Sequence, residues 1–214
     1  MSRGRKNRRN RTSLARGLRV GVDRVELTRG WDGRLGGGIE PCLIIGAFQL
    51  LDDAPSLLGR ALKKMGTVRN FPHIQSVPEP ILEVRLPGTA PHGLALLCLV
   101  LEEDRGRDVA DLFGQIASLD RFSGYDRHAP VPEPLALTTM MAEPGTDPPR
   151  PRALHLLRDG RPLEDEVESD DWMAASLIRL QAYRAGASAH WRIEAHSEDR
   201  RNDWTLWLTV DLGP

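Results

Sequence analysis

The stretch Leu94–Gly114, LALLCLVLEEDRGRDVADLFG, decides how the rest of the chain is read. Its first eight residues, Leu94–Leu101, are wholly apolar. That is far short of the ~20 residues needed to cross a bilayer. A short apolar run without alternation, closed by polar residues, predicts a strand buried on both faces. The acidic segment that follows, with Arg105 and Arg107 set among Glu102, Asp104 and Asp111, reads as a polar loop ending at Gly114.

Upstream, Leu18, Val20 and Val22 alternate with polar residues, and Val25 and Leu27 resume one position out of phase. This predicts a long strand with a bulge near Asp23 and Arg24. Gly30–Gly38, GWDGRLGGG, can only be a loop, and Cys42–Leu50 reads as a second doubly covered strand. A third strand is expected over Ala61–Val68 with Lys63 and Lys64 at its middle. Asn70–Pro80 holds three prolines, and strand signals return from Ile81 to Leu86 before the turn at Pro87 and Gly88.

Downstream, Gln115–Phe122 reads as another short strand. Residues 123–152 carry seven prolines, and an acidic patch LEDEVESDD follows at 163–171. Trp172, Met173, Ser176, Leu177 and Leu180 fit a helical stripe, with Ser169 or Asp170 as N-cap and Gly186 as C-cap. Two strong strands close the chain, His190–His196 and Trp204–Leu212. Strict alternation puts Trp204, Leu206, Leu208 and Val210 on one buried face and Trp207 on the other. Trp191 reads as core.

Hydrophobic residues are 40% and charged residues 28% of the 214, an ordinary globular balance that excludes a disordered chain and a membrane-spanning one. The two cysteines, Cys42 and Cys98, sit in apolar runs as small core residues, so neither a zinc framework nor a disulfide scaffold is expected. The net charge of −1 hides two parts: residues 1–20 carry +8 with no acid, which leaves −9 for the remainder. Arg3, Arg5, Lys6, Arg8, Arg9 and Arg11 make residues 1–17 a basic flexible arm of the kind that binds nucleic acid, anionic lipid or acidic protein surfaces. No apolar run follows it as in a secretory signal, so a cytoplasmic location is expected.

The ordered pieces resemble a C2 domain, over roughly residues 18–120. WDGRLGGGIEPCLII (31–45) is similar to the family's acidic first loop, its Asp-Pro and the strand after it, with Glu40–Pro41 in the Asp-Pro place. A basic strand with Arg60, Lys63 and Lys64 and an Asn70–Phe71–Pro72 stretch match the strands that follow. Leu94–Gly114 is similar to the apolar sixth strand, the acidic third loop and the closing Asp-x-x-Gly. The resemblance implies an all-β fold, a C2-like eight-stranded antiparallel β-sandwich over residues 18–214, to which the Pro-rich and acidic insertion at 123–171 and the one short helix are additions.

It also implies candidate sites. Calcium is the candidate cofactor, and Asp32, Glu40, Glu102, Asp104 and Asp111 would be its ligands, because calcium takes six to eight oxygens at ~2.3–2.6 Å. The alternative for these loops is a calcium-independent scaffold, since Arg34, Arg105 and Arg107 lie among them. Arg60, Lys63 and Arg69 are the candidate lipid- or anion-binding residues, weighed against a solvated edge strand guarded by lysines. Trp207 is the candidate interface anchor. No Gly-x-Ser-x-Gly, phosphate-loop or dinucleotide motif is present, and Glu194 and His196 lack a nameable third ligand. The expected function is therefore a non-enzymatic module docking to an anionic membrane or a protein partner. The alternative is a structural subunit of a larger assembly, of phage or contractile-particle type, whose arm contacts acidic neighbours or nucleic acid.

Overall fold

The computed structural model describes residues 15–30, 38–51, 55–88, 93–103, 108–118, 121–122, 138–139, 156–158, 161–162, 172–180, 185–186, 188–197 and 201–214. In chain order the elements are β1 (Gly17–Arg29), β2 (Pro41–Leu50), β3 (Pro55–Lys64), β4 (His73–Arg85) and β5 (Leu94–Glu102). Helix α1 (Asp108–Gln115) and a 3-10 turn (Ile116–Ser118) follow. Four short pieces come next: β6 (Arg121–Phe122), β7 (Thr138–Thr139), β8 (Leu156–Arg158) and β9 (Arg161–Pro162). The chain closes with β10 (Trp172–Leu180), β11 (Ser188–His196) and β12 (Asp203–Gly213). Residues 1–14 of the arm, Asp32, Asp104 and most of the 123–171 insertion lie outside the described residues.

The eight long strands form two antiparallel layers, in the orders β11-β12-β1-β4 and β3-β2-β5-β10, the second extended by the two residues of β7. Two antiparallel layers of four long strands are the eight-stranded β-sandwich that the resemblance implied. Between the layers, Leu18, Val20, Val22, Val25 and Leu27 of β1 and Trp204, Leu206, Leu208 and Val210 of β12 meet Leu43 and Ile45 of β2 and Leu94, Leu96, Cys98 and Val100 of β5. The bulge expected in β1 is present as a register shift between Val22 and Arg24.

Strands β2 and β5 are buried on their other face as well. There Ile44, Phe48, Leu97, Leu99 and Leu101 pack beneath Val109, Leu112 and Ile116, which α1 and its 3-10 extension present at i, i+3 and i+7. A strand covered by a sheet on one side and a helix on the other has no polar face to alternate with. This is why Leu94–Leu101 is an unbroken apolar run. Strand β4 needs no such continuity, for it lies at a sheet edge. Pro78 and Pro80, which cannot donate a ladder hydrogen bond, fall where its pairing with β1 jumps from Val77 to Leu82.

Several expectations are corrected. The stripe from Trp172 to Leu180 is not a helix but strand β10, paired along β5 from Trp172–Leu101 to Leu180–Leu94. The edge of a buried strand is a row of backbone donors and acceptors that must be answered, and this outweighs a helical stripe. Gly186 is accordingly not a C-cap; it sits at φ +85° in the turn before β11, with its N–H donating to Leu212 O. The one α-helix among the described residues is α1, where a polar loop was expected, and the strand expected at Gln115–Phe122 is reduced to the two residues of β6. The third strand starts and ends earlier than Ala61–Val68, and Val68 instead makes an isolated bridge with Ile39.

Candidate functional site

The sandwich has two ends. At one, β1, β3, β5 and β11 finish and β2, β4, β10 and β12 begin, and this end carries the candidate calcium residues Glu40 and Glu102. Pairing of Pro41 with Glu102 brings Glu40, Glu102 and Glu103 together there. Each is answered by a donor of the protein itself. The Thr67 hydroxyl donates to exposed Glu40 at 2.8 Å. The Asn202 side-chain amide donates to buried Glu102 at 2.7 Å. Buried Glu103 accepts from the Lys64 ammonium and, at 3.4 Å, from the Cys42 thiol. Asn202 is itself placed by the turn between β11 and β12, where its N–H donates to Ser197 Oγ at 3.0 Å. Asp111 is not part of this group; it is exposed on α1.

Calcium demands converging oxygens. Among the described residues no three His, Cys, Asp or Glu side chains gather where a cation could be held. The described members of the candidate set, Glu40, Glu102 and Asp111, are thus not brought together as one set of oxygens. Glu103, absent from that set, is buried and held by both Lys64 and Cys42. The doublet Glu102–Glu103 at the end of an apolar strand was its only sequence signal.

The same network protects the thiol. Burial first, and then the adjacent Glu103 charge, push Cys42 from the ordinary 9.0 up to about 12. Burial alone pushes Cys98 higher still. The hydrogen bond to Glu103 raises Lys64 above its ordinary value. All three groups hold protons in the folded state that the unfolded chain releases, so their contribution is complete below about pH 9 and is lost as pH rises through the alkaline range. Stability is expected to fall from about pH 9 upward. A thiol-specific colorimetric reagent is expected to find neither cysteine reactive in the native protein at neutral pH and both reactive in urea. Rapid native reaction would contradict the burial of both.

The three candidate anion-binding cations do not form one patch. Arg60 opposes Gly46 and Lys63 opposes Leu43 in the β2–β3 register, and positions three apart on a strand face opposite sides. Arg60 is turned toward α1: its guanidinium donates to the Phe113 carbonyl and, at 2.7 Å, to the Gly114 carbonyl, and stands 4.4 Å from the Phe113 ring centroid. It satisfies carbonyls that a helix C-terminus leaves without partners. Arg69 is exposed in the loop before β4.

The outer faces of the two sheets differ. That of β2 and β5 is covered by α1, whereas that of β11-β12-β1-β4 carries no helix among the described residues. On this second face half-buried Trp207 lies between its two register partners, Arg24 of β1 and Arg192 of β11. Their guanidinium carbons are 3.9 and 5.9 Å from its ring centroid. Ile74 of β4, 59% exposed, and Ser76 continue the patch beside Glu26 and Arg24. Three charge pairs stand on this sheet: Arg192 with Glu194 at 3.0 Å, Arg19 with Glu83 at 2.8 Å, and His190 beside Asp23 at 3.4 Å. The Glu194–His196 pair considered as a metal motif is divided, Glu194 toward Arg192 and His196 toward Asp203 at 3.0 Å.

No protein-family model matches the chain, and no curated protein matches it in sequence. Among solved structures it resembles a C2 domain, the one designated A, of plant extended synaptotagmin 1, with 12% identity, coverage of 94% of this chain and 97% of that one, and a TM-score of 0.36. No helix among the described residues is long and apolar enough to cross a membrane.

Proposed function

We propose that the chain is a non-catalytic binding module, a C2-like scaffold whose β11-β12-β1-β4 face docks a protein partner without calcium. The observation that carries this reading is Trp207 set between Arg24 and Arg192 beside exposed Ile74. Trp and Arg are the residue types that dominate protein-interface energetics. The face favours a protein over an anionic membrane because acids and bases are interspersed on it, whereas a membrane surface rewards a field of one sign.

The test is affinity capture from an extract of expressing cells, comparing wild type with Trp207→Ala in calcium and in chelator. A partner retained by wild type in both conditions and lost by Trp207→Ala is expected. Sedimentation with anionic vesicles that survives Trp207→Ala would place binding elsewhere and sink the reading. The thermal unfolding midpoint is expected to be the same in calcium and in chelator, because a ligand of the native state must raise it. A calcium-dependent rise that disappears in Asp104→Asn would restore the loops as a metal site.

A further inference from the structure

The opposite end of the sandwich, where β1 begins and β12 finishes, holds a cleft of about 670 Å³ with a backbone floor. Gly17 of β1 and Gly213 of β12 are register partners there, and Gly186 borders them. A side-chain carbon at Gly17 would meet none of the described residues within 4 Å, so they leave the floor open there. Arg85, the register partner of Gly17 on β4, and Arg16, just before β1, line it. Both are exposed, and neither has a carboxylate partner among the described residues. Arg19, by contrast, is held by Glu83.

We propose that this cleft binds the phosphate of a small molecule or headgroup, gripped by Arg16 and Arg85 over the glycine floor. Guanidinium groups match phosphate oxygens in paired hydrogen bonds. Two of them suit a dianion better than a singly charged carboxylate. The volume lies within the ~300–1,000 Å³ typical of small-molecule sites, so the ligand is larger than a lone ion. Two acids also line the cleft: Asp211, which opposes negative charge from the β11 side, and Glu83 on the β4 side, whose charge is paired with Arg19. The site lies ~20 Å along β12 from Trp207 at ~3.3 Å per residue, so it stands or falls independently of the docking face.

The test uses the full chain with inorganic pyrophosphate in calorimetric titration. In parallel, it is sedimented with phosphatidylcholine vesicles with and without phosphatidic acid. Pyrophosphate is expected to bind, at least tenfold more weakly in the Arg16→Ala/Arg85→Ala double variant and more tightly in Asp211→Asn. The exposed arginines can be truncated without loss of the fold. Loss of both pyrophosphate and phosphatidic-acid binding in the double variant assigns a lipid headgroup; loss of pyrophosphate binding alone assigns a soluble phosphate ester. No binding by wild type, or undiminished binding by the double variant, overturns the proposal.

Discussion

Trp204→Ala is expected to lower folding stability by roughly 3–5 kcal/mol, the usual cost of truncating a large buried aromatic. Trp204 is 1% exposed and lies between the sheets, its register partners being Leu27 on β1 and Ala195 on β11. Truncation would leave a cavity that two hydrogen-bonded layers cannot close. With domains stable by only ~5–15 kcal/mol, this is a large share of the total. The thermal midpoint should drop by on the order of 10 °C in a chain of this size. Trp204→Phe should cost much less. It keeps most of the apolar volume and removes a buried indole N–H that has no acceptor among the described residues. Equal midpoints for wild type and Trp204→Ala would mean that the inner face of β12 is wrongly assigned.

Trp207→Ala should do the reverse. Its ring is half-buried on the outer face, where it contributes two exposed cation–π contacts worth ~0.5–1 kcal/mol each at most. The midpoint should therefore move little. Partner affinity should fall about 30-fold or more, the ~2 kcal/mol typical of an interface hot spot. Trp207→Phe should retain part of the affinity, because an aromatic face remains for Arg24. Equal affinity of wild type and Trp207→Ala for a captured partner would remove this face from the function. Two tryptophans three positions apart thus separate stability from binding, since odd spacing on a strand sends them to opposite faces.

The docking face was legible in part. Alternation in β12 alone placed Trp207 outward, but that Arg24 and Arg192 would flank it followed from the register of three strands, which no local pattern encodes. The acidic loops show the limit of reading by resemblance. Glu40 and Glu102 do arrive at the same end, yet each is engaged by a donor distant in sequence: Thr67 for one, Asn202 for the other. Arg60 was read as an anion-binding residue and is turned instead to the end of α1, because the length of α1 brings Phe113 and Gly114 over β3.

The sequence by itself determined the doubly buried runs of β2 and β5, the inner faces and bulge of β1, and the alternation of β12. Burial acts there through a period the chain carries locally. What only the tertiary structure decided was the state of Trp172–Leu180, whose helical stripe yielded to the open edge of β5, and the formation of α1, which covers the apolar outer face of β2 and β5. It also decided the partners of the buried acids Glu102 and Glu103. Backbone groups at a sheet edge and charges removed from water must be satisfied by whatever the fold brings near, and that neighbour is a property of the packed molecule.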